Sequence, residues 1–189
     1  MKTIAAFDFD GTLTSTDSFI DFLSYVFKRW NVFLILILYS PLLIWKEKGK
    51  IKELIFKHFF QGMEYAKFKE ITTYYAENRL PEIINSAMVE KVKEHQKKGD
   101  EVMIISASVS EWITPWATKH HINQVLSTEI EVKNGQLTGY FRTPNCKKEQ
   151  KVHRLFEIYP DRQDYILYAY GNSSDDKPLL DIADYPVWV

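Results

Sequence analysis

The stretch FDFDGTLT, residues 7–14, places two aspartates at the end of an apolar run and follows them with a glycine and threonines. The apolar residues predict a short buried β-strand over 3–9. Alternate side chains of a strand point the same way and lie roughly 6.5 Å apart, so Asp8 and Asp10 can face one site. Two carboxylates this close repel each other, and either a proton or a cation must neutralise the pair.

Both ways of neutralising the pair suit phosphate chemistry. A divalent cation such as Mg²⁺ binds one or two carboxylates and keeps its other positions for water and a substrate phosphate. A carboxylate can also attack phosphorus, while a second, protonated carboxyl group delivers a proton to the departing oxygen. The alternative without chemistry is a polar strand end that precedes a turn at Gly11.

Two later segments repeat the plan of a strand with a polar end. EVMIIS (101–106) and DYILYAYGN (164–172) each follow a charged helical segment, and they end at Ser106 and Asn172. YPVWV (185–189) is predicted as a last strand. Strands that alternate with helices predict an α/β fold with a parallel sheet, whose ligands bind at the carboxyl ends of the strands.

Residues 15–95 break this alternation, because they carry few turn signals and have aromatic and aliphatic residues at helical spacing. They predict a helical insert after the first strand, with a core formed by residues 1–14 and 96–189. Within the core, residues 129–141 alternate around Asn134-Gly135, a pair typical of two-residue hairpin turns. We expect this hairpin at the edge of the sheet.

Composition excludes several classes of partner and site. The 189 residues include 24 Lys and Arg against 25 Asp and Glu, so the net charge of −1 provides no general attraction to nucleic acid. The single cysteine, Cys146, excludes an intramolecular disulfide and a cysteine-based zinc site. No apolar stretch of signal-peptide length precedes Asp8, which predicts a cytoplasmic protein.

DFDGTLT resembles the first motif of the haloacid dehalogenase-like (HAD) superfamily of phosphohydrolases, and three later segments resemble its other motifs in order. The resemblance implies that Asp8 is the nucleophile and Asp10 the acid/base. VMIISAS (102–108) is similar to the second motif, which implies that Ser106 binds the phosphoryl group. The resemblance further implies a Rossmann-like core, Mg²⁺ as cofactor and a helical cap inserted after the first strand, as in the phosphoserine-phosphatase-like branch.

The segment CKKEQKVHRL (146–155) resembles the third motif, a lysine near the start of a helix. The resemblance implies that Lys151 binds the phosphate, and Lys147 and Lys148 compete for that role. An ammonium group at this place would offset the negative charge of the aspartates and the phosphate.

The segment GNSSDD (171–176) resembles the fourth motif, but Asn172 stands where the family commonly has an aspartate. The implied metal ligands are Asp8, Asp10, Asn172 and Asp176, with Asp175 as an alternative to Asp176. An asparagine oxygen can bind a hard cation but removes one negative charge, which predicts weaker Mg²⁺ binding.

Two local patterns predict helix starts. Ser108 and Glu111 match a capping box that opens a helix over 111–120, in which Pro115 is expected to cause a kink. Ser18 is predicted either to cap the first helix of the insert or, with its neighbours Asp17 and Phe19, to touch the substrate.

Residues 30–45, WNVFLILILYSPLLIW, carry no charge and are flanked by lysines. The run is shorter than the ~20 residues that a membrane-spanning helix needs. Three interpretations stay open: packing between cap helices, a contact between two copies of the chain, or an element lying at a membrane interface. The segment also resembles an apolar stretch in the caps of phosphatidylglycerophosphatase C-like members of the branch. That resemblance implies a lipid phosphate as substrate and contact with the inner face of the membrane.

The sequence as a whole predicts a Mg²⁺-dependent phosphomonoesterase that acts on a small phosphomonoester or a lipid phosphate through an aspartyl phosphate on Asp8. Two alternatives stay open. The chain can be a non-catalytic binding or scaffold protein that retains the fold, or a phosphotransferase whose acceptor is not water. The sequence predicts no oligomeric state.

Overall fold

A computed structural model describes residues 1–44 and 48–189. Its main sheet has five strands in the order β3-β2-β1-β6-β7, and every neighbouring pair is parallel. The predicted α/β class is therefore confirmed. The strands of the described residues are β1 (Lys2–Phe7), β2 (Glu101–Val109), β3 (Gln124–Thr128), β4 (Ile130–Lys133), β5 (Gln136–Phe141), β6 (Tyr165–Gly171) and β7 (Tyr185–Trp188).

Helices surround this sheet and form the insert between β1 and β2. They are α1 (Ser18–Val26), α2 (Arg29–Tyr39), α3 (Lys48–Phe60), α4 (Tyr65–Asn78), α5 (Ser86–Lys98), α6 (Ser110–Lys119), α7 (Glu149–Ile158) and α8 (Lys177–Asp181). No helix in the described residues has the length and apolar character needed to cross a membrane. Trp45, the end of the uncharged run, lies outside the described residues.

Strand β1 lies in the middle of the sheet, and its residues 4–7 are completely buried. A continuous apolar run of this kind is typical of a parallel strand that is covered on both faces. Beyond Asp8 the strand leads into a tight turn, Phe9–Leu13, where Gly11 adopts a φ of 79°. The turn thus follows the buried strand at its carboxyl end, next to the point where Asp8 leaves the sheet.

The helical insert is present as predicted, and an aromatic cluster joins it to the core. The rings of Phe22, Phe60 and Phe68 pack on one another inside the insert, and Phe22 stacks on Trp112 of α6 at 4.8 Å between ring centroids. The chain leaves the core at Thr14 and returns beside it at Ile84, where the two residues form an isolated β-bridge.

The predicted division of the chain at residue 95 falls inside α5. His95, on that helix, contacts the hydroxyl of Tyr170 in β6 at 2.8 Å, so α5 packs against the sheet. The division into a core of residues 1–14 and 96–189 and a cap of residues 15–95 stays a prediction.

The hairpin prediction is right about the turn and wrong about its place. Asn134 and Gly135 have φ values of 51° and 74°, as a type I′ turn requires, and β4 pairs antiparallel with β5. The two strands form a separate sheet and do not extend the main one. Strand β5 instead lies against α3, where a Cβ on Gly139 would come within 2.9 Å of Cα of Lys57.

Both helix-cap predictions are wrong. Strand β2 continues to Val109, which precedes the first residue of α6, and no described side chain caps that helix. Ser108 therefore belongs to the strand, and its hydroxyl serves another contact. At α1 the capping side chain is Asp17, which accepts a hydrogen bond from the N–H of Ile20 at 3.0 Å. Pro115 lies inside α6, and its kink stays a prediction.

Candidate active site

The carboxyl ends of β1 and β6 open into a cavity of about 600 Å³ between the core and the insert. The core contributes most of the charged side chains. The insert contributes four apolar side chains together with the polar and charged residues Ser15, Thr16, Asp17 and Lys52. The lining includes Asp8, Asp10, Lys147, Lys151, Asn172, Asp175 and Asp176 of the core, and Phe19, Ile20, Ile51, Lys52 and Ile55 of the insert. A phosphate ester in this cavity would therefore meet the charged groups of the core, and the insert would offer its leaving group both apolar and polar contacts.

Lys151 joins Asp8 and Asp176 in a buried ion-pair network. Its Nζ lies 2.5 Å from Oδ1 of Asp8 and 2.6 Å from Oδ1 of Asp176, and its side chain is 1 % exposed. Burial lowers the pKa of Lys151, but the two carboxylates outweigh it and raise that pKa above its ordinary value. On Asp8 burial has the opposite effect, because it disfavours the negative carboxylate: it raises the pKa of Asp8 to about 6, although Lys151 opposes that rise. Asp8 is therefore ionised at neutral pH.

The loop after β6 holds Asp176 through its second oxygen. Oδ2 accepts hydrogen bonds from the backbone N–H of Asn172 at 3.1 Å and from the N–H and hydroxyl of Ser173 at 3.0 and 2.9 Å. A Cβ on Gly171 would lie 2.8 Å from Cγ of Asp176, so glycine permits this close turn. The loop thus holds the carboxylate of Asp176 in place, and that carboxylate in turn positions the ammonium group of Lys151.

Asp10 is held by the insert and by β2. Its Oδ1 accepts a hydrogen bond from the N–H of Ser18 at 2.8 Å, and its Oδ2 accepts one from the hydroxyl of Ser108. Burial raises the pKa of Asp10, and the nearby charge of Asp17 adds to that rise. A carboxyl group with a raised pKa is suited to hold and deliver a proton.

Because the sequence pattern assigned Ser108 to a helix cap, its contact with Asp10 was not predicted. A signal was present in the sequence, because Ser108 lies two residues beyond Ser106 and so shares its side of an extended strand. Ser106 itself is completely buried, and its Oγ accepts a hydrogen bond from the N–H of Ser108 at 3.0 Å. Ser106 is not among the described residues that line the cavity, and its phosphate-binding role stays a prediction.

Of the three lysines that the sequence offered, Lys151 is the one that pairs with Asp8 in the described residues. Lys147 lines the cavity without such a pair, and Lys148 is exposed and donates its backbone N–H to the carbonyl of Asp175. Lys151 is thus directed to Asp8 by the first turn of α7, and Lys147 and Lys148 precede that helix.

Lys52 is a cavity residue that sequence reasoning missed. From α3 its Nζ donates to the carbonyl of Ala107 at 3.1 Å and lies 5.0 Å from the centroid of the Phe19 ring. The sequence showed only a run of lysines at every second position, residues 46–52. Only the rotation of α3 against the core decides that Lys52 turns toward the cavity.

The predicted metal ligands offer oxygen donors of the kind that Mg²⁺ prefers. Among the described residues no three His, Cys, Asp or Glu side chains form a metal-binding group, so Asp8, Asp10 and Asp176 are not gathered around one point, and the ligand set stays a prediction. Gly11 makes room for that residue, because a Cβ there would lie 2.9 Å from Cγ of Asn172. A glycine in the left-handed region thus lets the amide lie against the turn that carries Asp10. The oxygen donors of the four predicted ligands all line this cavity, and in their chemistry they fit the cation.

A further, partly buried carboxyl group lies away from this cavity. Glu111, on α6, accepts a hydrogen bond from the hydroxyl of Tyr65 at 3.5 Å, and its other oxygen is buried without a partner in the described residues. Burial raises the pKa of Glu111 to about 7, and Arg142 and Lys69 oppose that rise.

The model of the haloacid dehalogenase-like hydrolases matches residues 5–181, nearly the whole chain. This chain is a HAD-like hydrolase. Protein CicA of Caulobacter vibrioides is 31 % identical over 187 residues, with 96 % of this chain and 83 % of CicA covered. Histidinol-phosphatase of Neisseria meningitidis is 30 % identical over 213 residues, with 100 % of this chain and 90 % of that protein covered.

Solved structures have the same fold as this HAD-like hydrolase. A protein of unknown function from Bordetella pertussis matches with a TM-score of 0.84 and 19 % identity, over 96 % of this chain and 87 % of that one. A substrate-bound phosphoserine phosphatase matches with a TM-score of 0.68 and 16 % identity, over 97 % and 83 %. The family assignment is confirmed, and the resemblance to phosphatidylglycerophosphatase C-like members stays a prediction.

Proposed function

We propose that this protein is a Mg²⁺-dependent phosphomonoesterase that works through an aspartyl phosphate on Asp8. The observation that carries the proposal is the buried contact of Asp8 with Lys151, at the floor of a cavity that also contains Asp10. An ionised carboxylate beside a buried cation is a nucleophile with positive charge ready for the phosphoryl oxygens. Both the phosphatase relative and the phosphatase fold neighbour support this choice of reaction.

The proposed reaction has two displacements at phosphorus. In the first, an oxygen of Asp8 forms a bond to phosphorus, the bond from phosphorus to the ester oxygen breaks, and Asp10 gives that oxygen its proton. In the second, Asp10 takes a proton from water, the water oxygen attacks phosphorus, and the bond to Asp8 breaks. The products are an alcohol and inorganic phosphate, and both aspartates return to their starting states.

The other residues of the site bind the phosphoryl group, offset its charge and orient Asp10. Lys151 offsets the negative charge of the phosphoryl group, and Ser106 donates a hydrogen bond to the phosphoryl oxygens. Asp8, Asp10, Asn172 and Asp176 would hold Mg²⁺, which supplies positive charge to the phosphate and the carboxylates. Ser108 and the N–H of Ser18 orient Asp10.

The proposed substrate is a small phosphomonoester or a lipid phosphate. The apolar side chains of the insert, Phe19, Ile20, Ile51 and Ile55, line the cavity opposite the aspartates and would contact the leaving group. A helical insert over the site also excludes water during transfer. We place the reaction in the cytoplasm, which suits the buried thiol of Cys146.

Phosphate release with and without Mg²⁺ tests the proposal on phosphoserine, histidinol phosphate, sugar phosphates and phosphatidylglycerophosphate. We expect turnover by the natural chain, none by Asp8→Asn, and full turnover by Asp161→Asn, an exposed aspartate outside the cavity. Acid quenching should trap labelled phosphate on the chain in a form that hydroxylamine releases. A folded protein that neither turns over nor becomes labelled would favour the scaffold, and labelling followed by transfer to an alcohol would favour the phosphotransferase.

A further inference from the structure

Helix α2 is apolar on both of its sides, although only one side is covered. Val32 is 2 % exposed, and Ile35, Leu36 and Tyr39 pack against the core. The other side presents five large apolar residues to solvent. They recur at helical spacing and form what we call the α2 face: Trp30, Phe33, Leu34, Ile37 and Leu38.

The α2 face is more exposed than single surface residues of a soluble helix require. Trp30 is 66 % exposed and Leu38 is 64 % exposed. A surface helix ordinarily carries polar side chains on its outer side, and a contiguous apolar stripe marks an interaction site. Packing within the insert explains the covered side of α2 and leaves the outer side without a partner in the described residues.

The charges around the α2 face identify the kind of partner. Residues 22–46 contain no aspartate or glutamate, and Lys28 and Arg29 stand at the start of α2 beside Trp30. Cations at a helix N-terminus oppose the helix dipole, so they do not stabilise the helix itself. An anionic group at the same place would be favoured by the two cations and by the dipole together.

We propose that the α2 face binds the surface of an anionic lipid bilayer. An apolar helix side that lies in the interface, an amphipathic Trp at its end and cations beside it are the features of a peripheral membrane helix. A second copy that packed through the same face would offer no acidic partner from residues 22–46 to Lys28 and Arg29, because that stretch contains none.

The position of α2 connects this surface with the cavity. Helix α2 packs between α1 and α3, and those two helices supply Phe19, Ile51 and Lys52 to the cavity wall. Docking of the α2 face would place α1 and α3, and with them one wall of the cavity, next to the lipid surface. The choice of a lipid phosphate as substrate rests on the proposed phosphatase function, whereas the lipid contact does not.

Co-sedimentation tests the contact with vesicles of phosphatidylcholine that either lack or contain about one third phosphatidylglycerol. We expect binding to the anionic vesicles and at least tenfold weaker binding by Phe33→Gln/Leu38→Gln. The matched pair is Trp30→Gln against Trp188→Gln, since Trp188 is similarly exposed at 57 % but lies on β7. Only the Trp30 variant should lose affinity.

The double variant Lys28→Gln/Arg29→Gln tests the charge. It should bind anionic vesicles about fivefold less tightly per cation removed, with a weaker dependence on salt. Hydrolysis of p-nitrophenyl phosphate in solution, together with the circular dichroism spectrum, should be unchanged in all these variants. A natural chain without activity that still binds the vesicles would refute the phosphatase and leave the lipid contact standing.

Three results would overturn the lipid contact. The first is absence of binding to anionic vesicles by the natural chain, and the second is equal binding by Trp30→Gln and Trp188→Gln. The third is a dimer in sedimentation equilibrium that Phe33→Gln/Leu38→Gln converts to a monomer, because the α2 face would then join two copies of the chain.

Discussion

Replacement of Lys151 by methionine tests the ion-pair network at the floor of the cavity. Methionine keeps most of the apolar stem and removes the ammonium group that contacts Asp8 and Asp176. The two carboxylates would then remain buried without their cation. Loss of one partner from a buried pair costs about 3–5 kcal/mol. Because Asp176 keeps three hydrogen bonds at its other oxygen, we expect the lower end of that range, about 3 kcal/mol.

The assay is urea unfolding of Lys151→Met at pH 8 in EDTA. At this pH Asp8 of the natural chain, whose pKa is raised to about 6, is ionised. Its pKa rises further in the variant because Lys151 lowers it, so pH 8 is chosen to lie well above the natural value, and the chelator keeps a metal ion from replacing the ammonium group. A loss of about 3 kcal/mol in a chain of this size lowers Tm by roughly 6–12 °C. The matched control is Lys147→Met, a cavity lysine without an ion pair in the described residues, for which we expect a change within about 0.5 kcal/mol.

A double-mutant cycle separates the ion pair from general packing. Asp8→Asn/Lys151→Met should be more stable than the two single losses predict, by at least about 1 kcal/mol, because it removes both charges of one contact. The reasoning would be refuted by a loss below about 1 kcal/mol for Lys151→Met, by equal losses in Lys151→Met and Lys147→Met, or by additive effects in the cycle.

Three further variants test other contacts. Ser108→Ala should lower kcat about tenfold on a soluble ester without a change in fold, because Asp10 loses a hydrogen-bond donor; unchanged kcat would refute that role. Gly11→Ala should destabilise the chain to urea by about 1 kcal/mol more than Gly62→Ala, because both glycines have positive φ but only the first has no room for a Cβ; equal losses would contradict the crowding. Burial raises the pKa of Glu111 from 4.5 to about 7, so its contribution to stability is present below pH 4.5 and is lost as pH rises through 7. The free energy of unfolding of Glu111→Gln, measured with urea at pH 5 and at pH 8, should therefore rise relative to that of the natural chain by up to about 3 kcal/mol between the two pH values. If the two proteins change in parallel with pH, burial does not shift the pKa of Glu111.

Local patterns predicted the main elements of the fold because each pattern depends on near neighbours in the chain. The apolar run before Asp8 is a buried strand, the segment 101–106 lies within β2, and Asn134-Gly135 forms the expected turn. Backbone period and turn chemistry act over a few residues, and they are legible without a structure. The same locality explains the two wrong caps, since Ser108 and Ser18 match a helix-start pattern but serve contacts from distant segments.

Local patterns could not predict contacts between segments that are distant in the sequence. Lys151 and Asp8 are 143 residues apart. Lys151 lies in the first turn of α7 and is buried, whereas Lys147 and Lys148 precede that helix. The hairpin pairs as predicted, yet it lies against α3 because Gly139 allows a close approach that no local signal announces. Lys52 enters the cavity for a similar reason, through the rotation of its helix against the core.

The sequence by itself determined the alternation of strands and helices along the chain, the helical insert and the positions of the motif residues, because short-range periodicity and spacing specify these. Only the tertiary structure decided which charges pair, how Asp10 is held and which side of α2 faces solvent. The residues of the α2 face and of its covered side are equally apolar, so hydropathy cannot distinguish them. The difference arises only when α1 and α3 pack against one side of the helix and leave the other open.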